Sequence, residues 1–222
     1  MRLHDYLTVW RINLNVSEVR LMALHAMLSA DEQVRAARYR FDEPRRQFVV
    51  CRGTLREILG AQLGVAPEAV ALTQNAHGKP ALTSGLAAGD LRFNVAHSAG
   101  LALIAMSYGH EVGVDVEQVR PVENLAALVR EHFSPAEQAE FHALPAAEQQ
   151  RAFFTGWVRK EAYMKARGLG FALPLAAFDV MLAPDVPARL LVDRHDADGG
   201  AGWQIVDVAV APGYVASAVI QT

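Results

Sequence analysis

One cysteine, Cys51, in 222 residues excludes an internal disulfide and any metal site built from several thiolates. No apolar run approaches the roughly 18 residues that a membrane-crossing helix needs. The opening residues MRLHDYLTVWRINL lack the apolar core of a signal peptide. Neither sign of charge is in excess: 21 Lys and Arg against 24 Asp and Glu give a net charge of -3. Such a balance gives no reason to expect a nucleic acid or an anionic membrane as partner. Glycine and proline are too sparse for a low-complexity chain, and aromatics make up 8% of residues. What remains is a chain with 52% hydrophobic residues, ample for a core. It reads as a cytoplasmic protein of one large domain or two small ones.

The order of elements repeats. Ser29-Ala30-Asp31-Glu32 opens a helical stretch that is expected to continue through an arginine-rich segment to Arg56. Ser134-Pro135-Ala136-Glu137 opens another, leading to a helix that holds Trp157–Lys165. Both starts fit a capping box, Ser29 with Glu32 and Ser134 with Glu137. A strand pair follows each: residues 91–96 with 101–107, turning at Ala99-Gly100, and residues 203–210 with 214–220, turning at Pro212-Gly213. The spacing predicts an α+β protein built as a pseudo-dimer of two similar subdomains, 1–110 and 111–222, with a ligand site in the cleft between them.

The chemistry gathers in two segments. In Gly113-Val114-Asp115-Val116-Glu117 the apolar alternation predicts a strand that points Asp115 and Glu117 to one side. Two carboxylates on one face either sit in solvent or share a cation. In Trp157-Val158-Arg159-Lys160-Glu161-Ala162-Tyr163-Met164-Lys165, helical spacing puts Trp157, Glu161 and Lys165 on one face. Glu161 and Lys165 then form either an exposed i, i+4 ion pair or part of a site. Together Asp115, Glu117 and Glu161 offer oxygen ligands suited to magnesium and a phosphorylated substrate. The helix is expected to stop at Gly168.

Other candidates are weaker singly. His97 lies where a strand meets a turn, beside Ser98, as a hydrogen-bonded structural group or a phosphate contact. Lys79, in the turn Gly78-Lys79-Pro80, presents a cation. Arginines 35, 38, 40, 45, 46, 52 and 56 form either a charged helix face or an anion patch. The capping box accounts for Glu137.

Read together, HGKP (77–80), FNVAHS (93–98), GVDVE (113–117), FSPAE (133–137) and WVRKEAYMK (157–165) resemble the Sfp-type 4'-phosphopantetheinyl transferases. The resemblance spans about residues 29–178. It implies transfer of the phosphopantetheine arm of coenzyme A to a serine of an apo acyl or peptidyl carrier protein, with magnesium as cofactor. It also implies a cleft between two α+β halves. By motif, Asp115, Glu117 and Glu161 look like the metal ligands, and Glu161 and Lys165 the catalytic groups. Arg35, Arg52, Lys79, His97 and Lys165 look like coenzyme A contacts. Glu161 or a metal-bound water is the expected base, with Glu137 less suited. Ala96 departs from the family, which usually has serine there. A duplicated chain supplies its own interface, so a monomer is expected. Two other readings use the same residues: a magnesium-dependent nucleotide phosphohydrolase, and a non-catalytic module that binds a carrier protein.

Overall fold

Each half begins with a strand and feeds it into three helices. The computed structural model describes residues 2–4, 6–83 and 89–222. The first half runs β1 (Arg2–His4), β2 (Leu7–Asn13), α1 (Glu18–Ala26), α2 (Ala30–Ala37), α3 (Asp42–Leu63), β3 (Leu72–Gln74), β4 (Pro80–Leu82), β5 (Leu91–Ser98) and β6 (Leu101–Tyr108). The second runs β7 (Val112–Gln118), α4 (Leu125–His132), α5 (Pro135–Ala143), α6 (Ala146–Arg167), β8 (Phe178–Val180), β9 (Leu190–Asp193), β10 (Trp203–Asp207) and β11 (Tyr214–Gln221).

One topology occurs twice. In the first sheet β2 pairs with β6 and β6 with β5, while in the second β7 pairs with β11 and β11 with β10, all antiparallel. A short two-stranded ribbon, β3–β4 or β8–β9, interrupts each half at the same place, after the third helix. The internal duplication expected from the order of elements is thus present as a shared strand order.

Local chemistry explains the helix ends. Ser29 and Ser134 each accept from the N–H three residues on, and Glu32 and Glu137 return the bond, so both capping boxes form. The long helices α3 and α6 each end on a left-handed glycine, Gly64 (φ 66°) and Gly168 (φ 64°). One expectation fails in the first half: the helical stretch from Ser29 to Arg56 is not continuous, and the second half breaks at the matching place. The chain leaves the helix after Ala37 and after Ala143, and restarts at Asp42 and Ala146. Proline is the reason. Pro44 sits in the first turn of α3 and Pro145 caps α6, where a missing N–H costs nothing. In an uninterrupted helix each ring would clash with the preceding turn, at about 3 kcal/mol.

The two sheets meet at β5 and β7 through side chains. Asn94 Oδ1 accepts from the Val114 N–H at 3.0 Å, and Ser98 Oγ accepts from the Gln118 N–H at 3.2 Å. A core cluster lies across this seam, joining Leu7, Val9, Leu103 and Ala105 to Val112, Val114, Val116 and Ile220. Helix α6 crosses directly over β7. A Cβ placed on Gly113 would lie 2.0 Å from the Ala162 carbonyl oxygen and 2.4 Å from the Ala166 nitrogen. Glycine at 113 and alanines at 162 and 166 therefore let helix backbone touch strand backbone.

Candidate functional site

That crossing brings the two chemical segments together. Asp115 lies on β7 and Lys165 on α6, and Lys165 Nζ sits 2.6 Å from Asp115 Oδ1. Asp115 is 5% exposed, and its second oxygen, Oδ2, is buried with no hydrogen-bond partner among the described residues. Burial pushes its carboxyl up to about 6; Lys165 opposes the rise, while Glu161 and Glu117 add to it. Burial also raises Glu161, against the pull of Lys165, and Glu117 raises it further. Asp115 thus feels the charges of both Glu161 and Glu117, and Glu161 that of Glu117. The sequence left open an exposed Glu161–Lys165 ion pair; the lysine reaches Asp115 instead.

Glu117 is steadied from two sides. Ser98 Oγ donates to its Oε2 at 2.8 Å, and Arg120 donates to the same oxygen at 3.3 Å. Among the described residues no three His, Cys, Asp or Glu side chains are gathered tightly enough to hold a metal ion as they stand. As they stand, an ammonium sits on Asp115, and Ser98 and Arg120 bond Glu117. Trp157 stands lower on the same helix, packed on Phe153 and edge-on to His132.

Beside the carboxylates lie two adjoining cavities that share Pro80 and Val95. The larger, about 360 Å³, is lined by Arg35, Tyr39, Phe48, Arg52 and His97 among others. The smaller, about 230 Å³, is lined by His77, Lys79, Asn94, Met164 and Lys165 among others. Strand alternation sorts the FNVAHS segment: Asn94 and Ser98 face β7, while Val95 and His97 face the larger cavity. His97 is held below its ordinary pKa by desolvation and then by Lys165, with Glu117 opposing.

Several cations have structural work to do. Arg56 is buried and bonded to Glu32 and to the carbonyls of Pro67 and Val70. Arg45 pairs with Asp42, and Arg46 with Glu18. Arg35 stacks over Phe48 at 4.9 Å, and Arg52 keeps a looser contact with Glu32 at 3.6 Å. Lys79 Nζ donates to Glu111, Val112 O and Ala166 O.

Similarity to known proteins extends along most of the chain. Residues 111–219 match the 4'-phosphopantetheinyl transferase superfamily, and residues 13–109 match the N-terminal region of a 4'-phosphopantetheinyl transferase. The 4'-phosphopantetheinyl transferase HetI of Nostoc sp. is 43% identical over 188 residues, which cover 85% of this chain and 79% of HetI. The chain belongs to the 4'-phosphopantetheinyl transferase superfamily. The transferase AcpT of Salmonella typhimurium is 36% identical over 64% of this chain and 69% of AcpT. Sfp of Bacillus subtilis is 24% identical over 85% of this chain and 80% of Sfp.

Within this transferase, three features escaped the sequence reading. Glu137 does more than cap a helix: at 1% exposure it pairs with Lys160 at 2.7 Å and accepts from the Val180 N–H. Arg159 and Lys160, inside the motif helix, are fully buried. Arg159 bonds Asp207 and backbone carbonyls, and Lys160 bonds the carbonyls of Leu175 and Phe178. The Gly113 crossing was the third. Its signal was available, since alanines at i and i+4 on α6 offer a smooth face for one glycine.

Proposed function

We propose that this transferase moves the 4'-phosphopantetheine arm of coenzyme A onto a serine hydroxyl of an apo acyl or peptidyl carrier protein, releasing adenosine 3',5'-bisphosphate. The observation that supports the reading is Asp115 Oδ2, a buried oxygen without a donor among the described residues, on a carboxylate that pairs with Lys165 through Oδ1 and feels the charges of Glu161 and Glu117. Such an orphan costs about 1–3 kcal/mol unless it meets a donor or a cation. Asp115, Glu117 and Glu161 would hold magnesium, an all-oxygen set that suits a hard ion. When bound, magnesium supplies positive charge to the pyrophosphate oxygens and lowers the barrier to attack on phosphorus.

The remaining steps belong to the protein's own groups. Arg35, Arg52 and His97, around the larger cavity, bind the phosphates of coenzyme A. Residues 1–110 thus supply the phosphate contacts, and 111–222 the carboxylates and the catalytic helix. Glu161, made more basic by burial, takes the proton as the serine oxygen bonds to phosphorus. The bridging P–O bond breaks, and its electron pair leaves on the bisphosphate, whose new charge Lys165 neutralises. Glu137 is unsuited as base because both its oxygens are committed to backbone N–H groups and one also to Lys160.

The test is direct. The protein, coenzyme A, magnesium and an apo carrier protein are mixed, and the carrier is weighed by mass spectrometry. One added phosphopantetheine arm, lost on chelation, is the expected result. An unmodified carrier refutes the reading; coenzyme A hydrolysed without carrier modification would instead mark a phosphohydrolase.

A further inference from the structure

Lys79 has no donor left for a phosphate. An ammonium offers three N–H groups. Those of Lys79 go to Glu111 Oε2 at 2.9 Å, Val112 O at 3.0 Å and Ala166 O at 3.4 Å. Its side chain is 14% exposed. The three acceptors meet where α6 crosses β7: Ala166 is in the last turn of the helix, Val112 opens the strand, and Gly113 is the point of backbone contact. A cation at a helix C-terminus is also favoured by the helix dipole.

The loop that delivers the lysine is itself fixed. Asn75 Oδ1 accepts from the N–H groups of His77 and Lys79, both at 2.9 Å. Asn75 Nδ2 donates to the Gly168 carbonyl at 3.2 Å, a second grip on the end of α6. Glu111 is held on its other oxygen by Arg92 Nε of β5 at 2.9 Å. Elements of the first half therefore grip the helix end and the strand start from two sides. Lys165, one residue before Ala166, reaches Asp115 from that fixed frame.

We infer that Lys79 is a positioning residue for the transfer reaction. It locks the crossing of α6 over β7 so that Lys165 and Glu161 meet Asp115 and Glu117, and it does not bind a coenzyme A phosphate. To contact a phosphate it would have to abandon Glu111 or a helix carbonyl. The inference rests on the reaction proposed above.

Lys79→Met, Lys79→Arg and Glu111→Gln test it in the full chain. Coenzyme A affinity is measured by calorimetry without turnover, and kcat and KM with an apo carrier protein and saturating magnesium. Lys79→Met is expected to keep coenzyme A affinity and to lose roughly 10–100-fold in kcat, the effect of displacing reacting groups by about 1 Å. Lys79→Arg, which keeps charge and donors, recovers part of that loss. Glu111→Gln lowers kcat in the same direction by less. A coenzyme A affinity weakened by roughly tenfold or more with kcat intact at saturation makes Lys79 a phosphate ligand and overturns the inference. Should Lys79→Met fail to fold, the same comparison in Lys79→Arg and Glu111→Gln decides. If wild-type protein binds coenzyme A but never modifies a carrier, the transfer reading fails on its own. Hydrogen exchange then decides the positioning role: faster exchange at 112–116 and 161–166 in the variants supports it, and unchanged exchange overturns it.

Discussion

Asp115 is asked to be a buried anion with one oxygen on an ammonium and the other without a hydrogen-bond partner among the described residues. Its pKa of about 6, well above the ordinary 3.8, says that the charged form is disfavoured in the folded, metal-free protein despite Lys165. A rise of that size corresponds to the order of 2–3 kcal/mol near neutral pH. Asp115→Asn is therefore expected to raise the melting temperature of chelator-treated protein near neutral pH. Magnesium should stabilise the wild type and leave the variant unmoved. Thermal melts with and without chelator read both effects, and a less stable variant in chelator contradicts the account. Neighbouring groups are expected to lose rate, not binding. Lys165→Ala should lower kcat strongly with little change in coenzyme A affinity, and Glu161→Gln should lower it by about 10²–10⁴-fold if it is the base. Near-normal turnover of Glu161→Gln in saturating magnesium removes both roles assigned to it.

Cys51 gives a pH-dependent test at the same scale. Burial pushes its thiol up to about 11 from 9.0, with Arg52 opposing. A raised folded pKa means that the neutral thiol's contribution to stability is intact below pH 9 and is lost as pH rises from 9 towards about 11. Alkylation of native protein should stay slow through pH 9, when the unfolded chain already reacts readily. Fast labelling of the native protein at pH 8 would show the thiol to be neither buried nor protonated.

Among the elements, the crossing of α6 and β7 is the one that the site depends on. Gly113→Ala would push a methyl into helix backbone at 2.0 Å, and backbone cannot swing aside as a side chain can. A loss of about 3 kcal/mol or more in stability is expected, or outright failure to fold. A urea titration reads it, and a variant as stable as wild type would deny the close contact. This element also marks the limit of what sequence patterns carry. Capping boxes, the glycine stop at Gly168 and the alternation that pairs Asp115 with Glu117 are local, and each was readable from a few consecutive residues. The break before Pro44 was local too, at a proline that the expected stretch to Arg56 ran through. What could not be read was long-range partnership. Lys79 and Ala166 are 87 positions apart, Arg159 and Asp207 48, and only packing decides which carbonyl or carboxylate a cation meets.

At the scale of the whole molecule, duplication has not produced two independent units. The core cluster at the seam draws strands from both halves, Leu7 and Leu103 from one and Val114 and Ile220 from the other. Asn94, Ser98 and Lys79 add polar stitches from the first half onto β7 and α6, and Arg11 reaches across to the Ala209 carbonyl at 2.8 Å. Separating the halves would expose that apolar surface and leave buried polar groups without partners, which costs free energy on both counts. The chain is therefore expected to unfold in a single transition and, having its interface within one polypeptide, to run as a monomer on size-exclusion chromatography with light scattering. Trp10 reports from the first half and Trp157 and Trp203 from the second, so fluorescence and circular dichroism follow different parts of the same event. Expressed separately, residues 1–110 and 111–222 should each remain largely unfolded and should regain coenzyme A-dependent activity only when mixed. Two resolved melting transitions, or a first half that binds coenzyme A alone with full affinity, would mean that the seam joins finished domains and that the carboxylate site does not depend on it.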